Sequence, residues 1–408
     1  MHILDTLKER GYLAQITFED DLYKQLEREP TVFYVGFDPT ADSLHFGHYI
    51  PVLVMTHLQR AGHRPIALMG GGTAMVADPS GKTDLRPMLS QEQIEKNTDG
   101  IRKQMSRFLD FSPGKAILAN NADWLLKLNY VEFLREIGAH FSVNRMLTAE
   151  CYKQRMEKGL TFLEFNYMIM QSYDFLELFR KYNCRLQVGG DDQWSNILAG
   201  ADLIRRKERQ DAFAFTIKLL LNSDGEKMGK TAKGALWLDP SRVSPYEFYQ
   251  YWRNLPDADV RTCLNLLTFL PLPEIDALCS GEGSAINEAK RVLAFETTAL
   301  VHGRDAAEQA QSASAALFGG GMDAASVPTT ELTANQIKED NRVTTILPLC
   351  GLAASRGEAR KLIQSGAVWI DQTKVEDIDA RIDPDTIPAD GLMLRKGKKY
   401  YCRLIIKQ

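Results

Sequence analysis

The first half of the chain alternates short β-rich apolar runs with longer segments of helical pattern. Four runs predict strands that end in turn or polar residues, at 32–36, 65–69, 116–119 and 185–188. A helix is predicted to begin between Phe46 and His48, to run to Arg60 and to stop at Gly62. Pro51 should fall in about its first turn, where a missing N–H costs little. Strands that alternate with helices predict an α/β fold with a parallel sheet, whose ligand crevice lies beyond the strand ends.

The second half of the chain has a different pattern of hydrophobic and polar residues. From about Pro240 to Leu317 the pattern is helical without clear strands, and a Gly-rich, Ser/Thr/Pro-containing stretch then predicts a flexible linker. A small α+β domain should follow. Its helix should begin with a capping box at Ser355 and Glu358 and stop at Gly366, before strands at 368–370 and 392–394 and a basic loop at 395–399. The predicted division is 1–238, 239–318, 319–341 as linker, and 342–408.

Composition narrows the class of protein. With 44% hydrophobic and 25% charged residues the chain is typical of soluble globular proteins, and its 408 residues suggest two or three domains. The N-terminal segment lacks a signal-peptide pattern and no apolar run could span a membrane, so we expect a cytoplasmic protein without membrane contact. Six scattered cysteines without a C-x-x-C pair indicate free thiols and argue against zinc or disulfides.

Charge is unevenly distributed. The net charge is −4, yet residues 342–408 carry 12 Lys and Arg against 8 Asp and Glu. A basic tail on an acidic body predicts an anionic partner at the C-terminal end, although chance variation in a solvated face is the alternative.

Two motifs carry the candidate chemistry. His45-Phe46-Gly47-His48 and Lys227-Met228-Gly229-Lys230-Thr231 lie about 180 residues apart, and each places imidazoles or ammonium groups beside a glycine. Glycine lets a nucleotide approach the backbone, and cations and a helix N-terminus attract phosphate oxygens, so the pair predicts triphosphate handling. The histidines are three apart and could bind a metal, but no other Cys/His cluster accompanies them, so no protein-bound metal is predicted.

Two other glycine-rich segments fail as nucleotide motifs. Residues 70–75 end in Met75 where G-x-G-x-x-G requires glycine, and Gly81-Lys82-Thr83 has Val76 where a P-loop requires its first glycine. These mismatches argue against a dinucleotide enzyme and a P-loop NTPase.

A polar stripe marks the helical segment after Phe165. Tyr167, Gln171 and Asp174 fall on one helix face among apolar neighbours. From spacing alone, this stripe could line a binding pocket or form ordinary surface.

The two motifs resemble the H-x-G-H and K-M-S-K-S signatures of class I aminoacyl-tRNA synthetases. Residues 34–48, 78–82, 189–194 and the tail further resemble the bacterial tyrosyl-tRNA synthetase family, over nearly the whole chain. The resemblance implies a Rossmann-like catalytic domain, a helical domain and a small S4-like RNA-binding domain. It implies activation of L-tyrosine by ATP with Mg²⁺ and transfer to tRNA(Tyr), without an editing domain.

The resemblance also assigns residues. Tyrosine would be held by Tyr34, Asp78, Tyr167, Gln171, Asp174 and Gln193, with Tyr34 and Asp174 at the phenol. ATP would be bound by Gly36, Asp38, Gly47, Gly190, Asp192 and Lys230. The reaction would be assisted by Thr40, His45, His48, Lys82, Arg86, Lys227, Lys230 and Thr231. RNA would be bound by Arg356, Arg360, Lys361, Lys396, Lys398 and Lys399.

Two departures and several alternatives accompany this interpretation. Gly229 replaces the serine of the general class, and Phe46 replaces the common isoleucine and is expected to face the core. The resemblance implies a homodimer with an interface from about Leu128 to Phe162. Alternatives are a tryptophanyl enzyme on the same scaffold, a small-molecule nucleotidyltransferase, and a non-enzymatic RNA-binding protein derived from a synthetase.

Overall fold

The structure is a computed structural model that describes residues 1–76, 78, 80, 89–157, 159–231, 234–281, 284–319, 328–371, 373–388, 391–397 and 400–407. The chain divides into two compact units. The first comprises Met1–Lys230, Ala235–Asp239 and Pro256–Ala289, and the second comprises Thr231–Gly234, Pro240–Leu255 and Lys290–Gln408. The finer division predicted from sequence stays a prediction.

A six-stranded sheet forms the centre of the first unit, in the order β1-β6-β5-β2-β3-β4. Its strands are β1 (Leu13–Ile16), β2 (Val32–Phe37), β3 (Arg64–Met69), β4 (Ile117–Asn120), β5 (Cys184–Gly190) and β6 (Phe213–Ile217). Neighbouring strands are parallel except at the edge, where β1 runs antiparallel to β6. The α/β fold and the four predicted strands are confirmed, whereas β1 and β6 were not predicted.

Helices connect these strands. In chain order they are α1 (Ile3–Arg10), α2 (Glu19–Arg28), α3 (Phe46–Arg60), α4 (Gln91–Met105), α5 (Ala122–Leu125), α6 (Tyr130–Glu136), α7 (Val143–Leu147), α8 (Glu150–Met156), α9 (Phe162–Phe165), α10 (Tyr167–Tyr182) and α11 (Trp194–Glu208). Tyr34, Ile66 and Leu68 of the sheet pack in one buried cluster with Phe175 and Leu176 of α10. This cluster surrounds the polar groups described below.

Helix α3 has the predicted bounds. His45 precedes its first residue as the N-cap, and Gly62 follows it with a φ of 95°. The prediction for Pro51 was wrong, because Pro51 is the sixth residue of α3 and lies in its second turn. Its missing N–H therefore removes an interior helix bond, the one that would reach the Gly47 carbonyl.

The described residues from about Pro240 to Leu317 are helical, as predicted. Two short strands, β7 (Lys230–Thr231) and β8 (Gly234–Ala235), precede α12 (Pro245–Arg253), α13 (Val260–Leu267), α14 (Leu272–Leu278), α15 (Ser284–His302) and α16 (Arg304–Gly319). None of the described helices is both long and apolar enough to cross a membrane.

The C-terminal end of α13 is fixed to the N-terminal part of the chain. Arg10 is buried and donates to the carbonyl oxygens of Asn265 and Thr268, both at 2.9 Å. Tyr12 donates to the Leu266 carbonyl, and Tyr49 of α3 donates to the Leu267 carbonyl. A cation at a helix C-terminus also interacts favourably with the helix dipole. Helix α13 is thus attached to the helix that begins with the first motif.

The C-terminal part of the second unit contains a five-stranded sheet in the order β11-β10-β12-β13-β9. Its strands are β9 (Thr329–Thr333), β10 (Val368–Ile370), β11 (Thr373–Lys374), β12 (Leu392–Lys396) and β13 (Tyr400–Lys407), with helices α17 (Ala334–Glu339), α18 (Val343–Leu349) and α19 (Arg356–Gln364). Strand β9 lies in the predicted linker and pairs in parallel with β13. Its polar sequence concealed it, because only Leu332 of β9 is buried.

Two local predictions in this region need correction. Arg395 and Lys396 belong to strand β12 and not to a loop, and Lys398 and Lys399 lie outside the described residues. The α19 helix begins with the Ser355 hydroxyl accepting from the Glu358 N–H, but the Glu358 carboxylate accepts from the Ala354 N–H rather than completing the expected box.

Candidate active site

The candidate site lies beyond the carboxyl ends of the central parallel strands. Asp38 follows β2, Thr73 follows β3, Asn121 follows β4 and Gln193 follows β5. Parallel strands of an open α/β sheet place such residues at one edge, where ligands bind. The described residues of this edge form two hydrogen-bonded groups, one around Asp38 and one around Asp78.

The first motif caps helix α3 with histidine. The His45 Nδ1 atom accepts a 3.0 Å hydrogen bond from the Gly47 N–H, and the His48 Nδ1 atom accepts from the His45 N–H. The two rings stack with their centroids 3.9 Å apart. Because Nδ1 accepts in both, the proton of each neutral ring lies on Nε2. Among the described residues, no group of three or more His, Cys, Asp or Glu side chains is placed to hold a metal ion.

The second motif is attached directly to the first. The Phe46 N–H donates to the Leu236 carbonyl at 2.8 Å, and the Leu236 N–H donates to the Gly229 carbonyl at 2.7 Å. Phe46 is buried, as expected. Lys227 is exposed, Lys230 and Thr231 form β7, and the side chains of these last two lie outside the described residues, as do Lys82 and Arg86.

Asp38 anchors one side of the crevice. Its carboxylate accepts from the Thr73 hydroxyl at 2.9 Å and from the Tyr167 hydroxyl at 3.0 Å. The glycine at position 70 is required by this close approach, because a Cβ atom there would lie 2.1 Å from Asp38 Oδ1. Burial raises the pKa of Tyr167 well above its usual value, so its hydroxyl remains a donor.

Asp78 lies in a second group of polar residues. It accepts from the Gln193 amide and from the Ser80 N–H, both at 2.9 Å. Asn196 of α11 donates to Gln171 at 3.1 Å and so joins the α10 stripe to this group. Burial raises the pKa of Asp78 to about 6, which makes it a carboxylate that gains from a nearby cation.

Asp174 lies deepest. It is buried and accepts from the Trp124 indole N–H at 2.7 Å and from the Asn121 amide at 2.9 Å. Burial raises its pKa to about 7, although both donors oppose that rise. The Asn121 amide also donates to the Thr73 hydroxyl at 3.0 Å, which connects Asp174 with Asp38 through hydrogen bonds.

Tyr34 faces the same buried cluster with an unsatisfied hydroxyl. Its ring centroid lies 5.3 Å from that of Phe175, and its Oη atom is buried without a hydrogen-bond partner among the described residues. Burial raises the pKa of Tyr34 well above its usual value, and the neighbouring Asp174 carboxylate raises it further. The Tyr34 hydroxyl is a buried neutral donor, and the neighbouring Asp174 carboxylate has lone pairs left to accept a further bond. Such a pair suits a ligand hydroxyl, which can accept from one group and donate to the other.

Comparison with known proteins decides the family. The profile described as "tRNA synthetases class I (W and Y)" matches residues 26–319, and that of the "Tyrosine--tRNA ligase SYY-like C-terminal domain" matches residues 322–404. The chain belongs to the class I tRNA synthetases of the tryptophan and tyrosine group. This assignment confirms the synthetase fold expected from the two motifs.

Relatives and solved structures of this synthetase family agree. A tyrosine–tRNA ligase of Clostridium botulinum (strain Loch Maree / Type A3) is 57% identical over 407 residues, covering 100% of both chains. That of Clostridium tetani is also 57% identical and covers 100% of this chain and 99% of its own. The truncated Aspergillus nidulans mitochondrial tyrosyl-tRNA synthetase superposes with a TM-score of 0.68 at 30% identity, covering 76% of this chain and 92% of its own.

A solved structure of a tryptophanyl-tRNA synthetase is also similar in fold. A tryptophanyl-tRNA synthetase of Encephalitozoon cuniculi has a TM-score of 0.57 at 14% identity and covers 75% of this chain and 87% of its own. At that identity the likeness concerns the fold alone, so the choice of amino acid must be argued from the pocket.

The hydrogen bonds of the synthetase crevice connect several of the predicted site residues, and they add others. Asp38 bonds Tyr167, and Asp78 bonds Gln193, which also donates to Asp192 at 3.0 Å. Gly36 is exposed in β2, and Gly47 is exposed in the first motif. Thr40 is exposed in the loop after β2, and Gly190 is the last residue of β5. Residues not predicted are Thr73, Ser80, Asn121, Trp124 and Asn196. Two of them carried a sequence signal, because Asn121 follows a predicted strand and Ser80 lies in the segment 78–82 that resembles the family.

The basic residues of the C-terminal part differ in their contacts. Arg360 and Lys361 are exposed on α19. Arg356 contacts Asp340 at 3.3 Å, and Lys396 contacts Glu358 at 2.8 Å. The Arg395 guanidinium lies 4.3 Å from the centre of the Trp369 ring. Some of the predicted RNA contacts therefore have acidic partners in the described structure.

Removal of the Tyr34 hydroxyl should not destabilise the ligand-free synthetase. We expect Tyr34→Phe to leave the free energy of unfolding unchanged or to raise it by about 1 kcal/mol, because a buried unpaired hydroxyl is lost. Tyr12→Phe is the matched control: Tyr12 is also fully buried, but its hydroxyl donates to the Leu266 carbonyl. That change should lower the free energy by about 1 kcal/mol in urea unfolding. Equal losses in both variants would show that the Tyr34 hydroxyl is already satisfied within the protein.

Proposed function

We propose that the protein is a tyrosine–tRNA ligase, which activates L-tyrosine with ATP and transfers the tyrosyl group to tRNA(Tyr). The observation that carries the choice of tyrosine is the floor of the pocket. Asp174 and Tyr34 are buried beside each other, Asp174 with two donors and Tyr34 with no hydrogen-bond partner among the described residues. The Tyr34 O–H would donate to the phenol oxygen, and the phenol O–H would donate to Asp174. Phenylalanine would leave the Tyr34 hydroxyl unpaired and Asp174 without a third donor, at a cost of about 1–3 kcal/mol for each missing hydrogen bond.

The ammonium group of tyrosine would be held above this floor. Asp78, Tyr167 and Gln171 supply a carboxylate, a hydroxyl and an amide at the polar stripe of α10. A bound ammonium group would favour the ionised form of Asp78 and offset its burial. Gln193 bonds Asp78 and would share in holding tyrosine, and Asp192 would receive the ATP ribose.

ATP would lie across the first motif. Gly36 and Gly47 offer exposed backbone, and Asp38 and Gly190 border the same edge. With Nδ1 accepting, His45 and His48 present Nε2–H donors, His45 with Thr40 toward the phosphates and His48 toward the ribose. Mg²⁺ would arrive with ATP as part of the substrate and need no protein cage.

The first reaction would join tyrosine to the α-phosphorus of ATP. A tyrosine carboxylate oxygen attacks that phosphorus, the bond to the β-phosphate oxygen breaks, and pyrophosphate leaves with the electron pair. No covalent enzyme intermediate is needed, so positioning and charge stabilisation are sufficient. Lys227, Lys230 and Thr231, with Lys82 and Arg86, would stabilise charge on the separating phosphates.

The second reaction, transfer of the tyrosyl group to tRNA, would require the C-terminal part of the chain. Arg360 and Lys361 are exposed and suited to RNA phosphates, together with Lys398 and Lys399. Arg356 and Lys396 would exchange Asp340 and Glu358 for phosphate oxygens. Since these ion pairs are partly exposed, the exchange costs little.

ATP–pyrophosphate exchange with each amino acid tests this function directly. Tyrosine should support exchange, and phenylalanine and tryptophan should not at equal concentration, because neither places a hydroxyl between Tyr34 and Asp174. Exchange with tryptophan alone would favour the tryptophanyl type. The absence of exchange with every amino acid would favour an RNA-binding protein without synthetase activity.

We also propose that the protein is a homodimer. Five large apolar side chains of the first unit are exposed near the predicted interface: Tyr130 61%, Val131 71%, Leu134 40%, Phe162 70% and Leu163 45%. A buried ion pair at 2.8 Å between Arg155 of α8 and Glu164 of α9 holds the segment that presents Phe162 and Leu163. Contiguous exposed apolar residues on a rigid segment are typical of an interface between copies.

Phe162→Asp should convert the dimer to a monomer in sedimentation experiments, because it buries a charge in an apolar interface. Phe18→Asp is the matched control, since Phe18 is 61% exposed and has a φ of 42°, which Asp tolerates. The control should keep the dimer. A dimer that persists with Phe162→Asp would place the interface elsewhere.

A further inference from the structure

The residues at positions 46 and 229 fit each other closely. Gly229 is buried with a φ of 85°, and a Cβ atom on it would lie 2.6 Å from Phe46 Cδ1, 2.7 Å from Phe46 Cβ and 2.9 Å from Phe46 Cγ. Real Cβ atoms do not approach other atoms so closely. The Cβ atom and the ring of Phe46 therefore occupy the space that any side chain at 229 would need.

Both partners are fixed by the backbone around them. Phe46 begins α3 and bonds the Leu236 carbonyl, while Leu236 bonds the Gly229 carbonyl and Leu238 bonds the Leu44 carbonyl. On the other side of the loop, the Met228 N–H donates to the Leu220 carbonyl at 3.1 Å. The Met228 Sδ atom lies 3.6 Å from the Cys263 Sγ atom of α13. The segment Met228-Gly229 is thus held between α3 and α13.

This placement matters because Lys227 and Lys230 flank that segment. We propose that Phe46 is a positioning residue, which sets the location of the second-motif lysines through its contact with Gly229. The inference rests on the proposed function, because it assumes that these lysines meet the phosphates of ATP. The two departures from the class signatures, phenylalanine at 46 and glycine at 229, are therefore one matched pair.

A double-mutant cycle tests the pair. Gly229→Ala should lower the rate of adenylate formation and the affinity for ATP in the otherwise unchanged protein, and the loss should be about tenfold smaller in a Phe46→Gly background, which removes all three contacting atoms of Phe46. Tyrosine affinity should stay constant in all variants, because the pocket floor is not part of this contact. Phe46→Ala removes the contacts with Cγ and Cδ1 but keeps that with Cβ, and it should give a smaller coupling of the same sign if Phe46→Gly fails to fold.

Gly225 provides the matched control. It lies in the same loop with a φ of 79°, but a Cβ atom on it meets nothing within 4 Å. Gly225→Ala therefore carries the same backbone strain without the contact, and its effect should be equal in both backgrounds. Independent effects of Phe46→Gly and Gly229→Ala, or equal losses of tyrosine and ATP affinity, would overturn the proposal.

Calorimetric titration with Mg-ATP and with tyrosine separates this proposal from the proposed function. If the unmodified protein binds both ligands and makes no adenylate, the ligase assignment fails, while the coupling in ATP affinity still decides the role of Phe46. If adenylate forms and the coupling is absent, only the role of Phe46 fails.

Discussion

The burial of one carboxylate constrains most of the pocket. Asp174 lies on α10 within an apolar cluster that includes Phe175, Leu176 and Met168. An unpaired carboxylate there would be protonated or would destabilise the fold. The Trp124 and Asn121 donors stabilise the ionised form of Asp174, yet burial still raises its pKa to about 7. The two hydrogen bonds therefore do not fully compensate for the hydration that the carboxylate loses. In the proposed function a ligand hydroxyl would supply a third donor to Asp174, and it would accept from the Tyr34 hydroxyl, which has no hydrogen-bond partner among the described residues.

The hydrogen bonds of Asp174 extend toward the site of chemistry. The Asn121 amide donates to the Thr73 hydroxyl, Thr73 donates to Asp38, and Asp38 also accepts from Tyr167. The amino-acid pocket and the nucleotide edge therefore share one set of oriented groups. The two motif loops close that edge through the backbone bonds from Phe46 to Leu236 and from Leu236 to Gly229. In the proposed function, specificity would reside at the floor and phosphate chemistry at the loops, and the hydrogen bonds between them would keep the reacting groups aligned.

The sequence predicted what depends on local pattern. Strands β2 to β5 and helix α3 have strong apolar runs and clear stops, and the two motifs are contiguous in sequence. Edge strand β1 and polar strand β9 were missed because their pairing with β6 and β13 depends on distant residues. Trp124 and Asn196 were missed for the same reason, since an indole or an amide becomes part of a site only when folding brings a carboxylate or amide beside it. The contact of Phe46 with Gly229 also joins residues far apart in the chain, and sequence showed only that each departed from the class pattern.

The most direct test of the account is the pH dependence of discrimination between tyrosine and phenylalanine. Both amino acids share the ammonium site, so protonation of Asp78 cancels in the ratio of their kcat/KM values, which report the free enzyme. The ionised form of Asp174 is the acceptor for the phenol. The ratio should therefore be high and constant above pH 7 and should fall by up to about tenfold per pH unit below it. In Asp174→Asn the ratio should be low and independent of pH. A ratio that does not change with pH in the unmodified protein, or the same slope in Asp174→Asn, would contradict the assignment of Asp174 as the group that selects tyrosine.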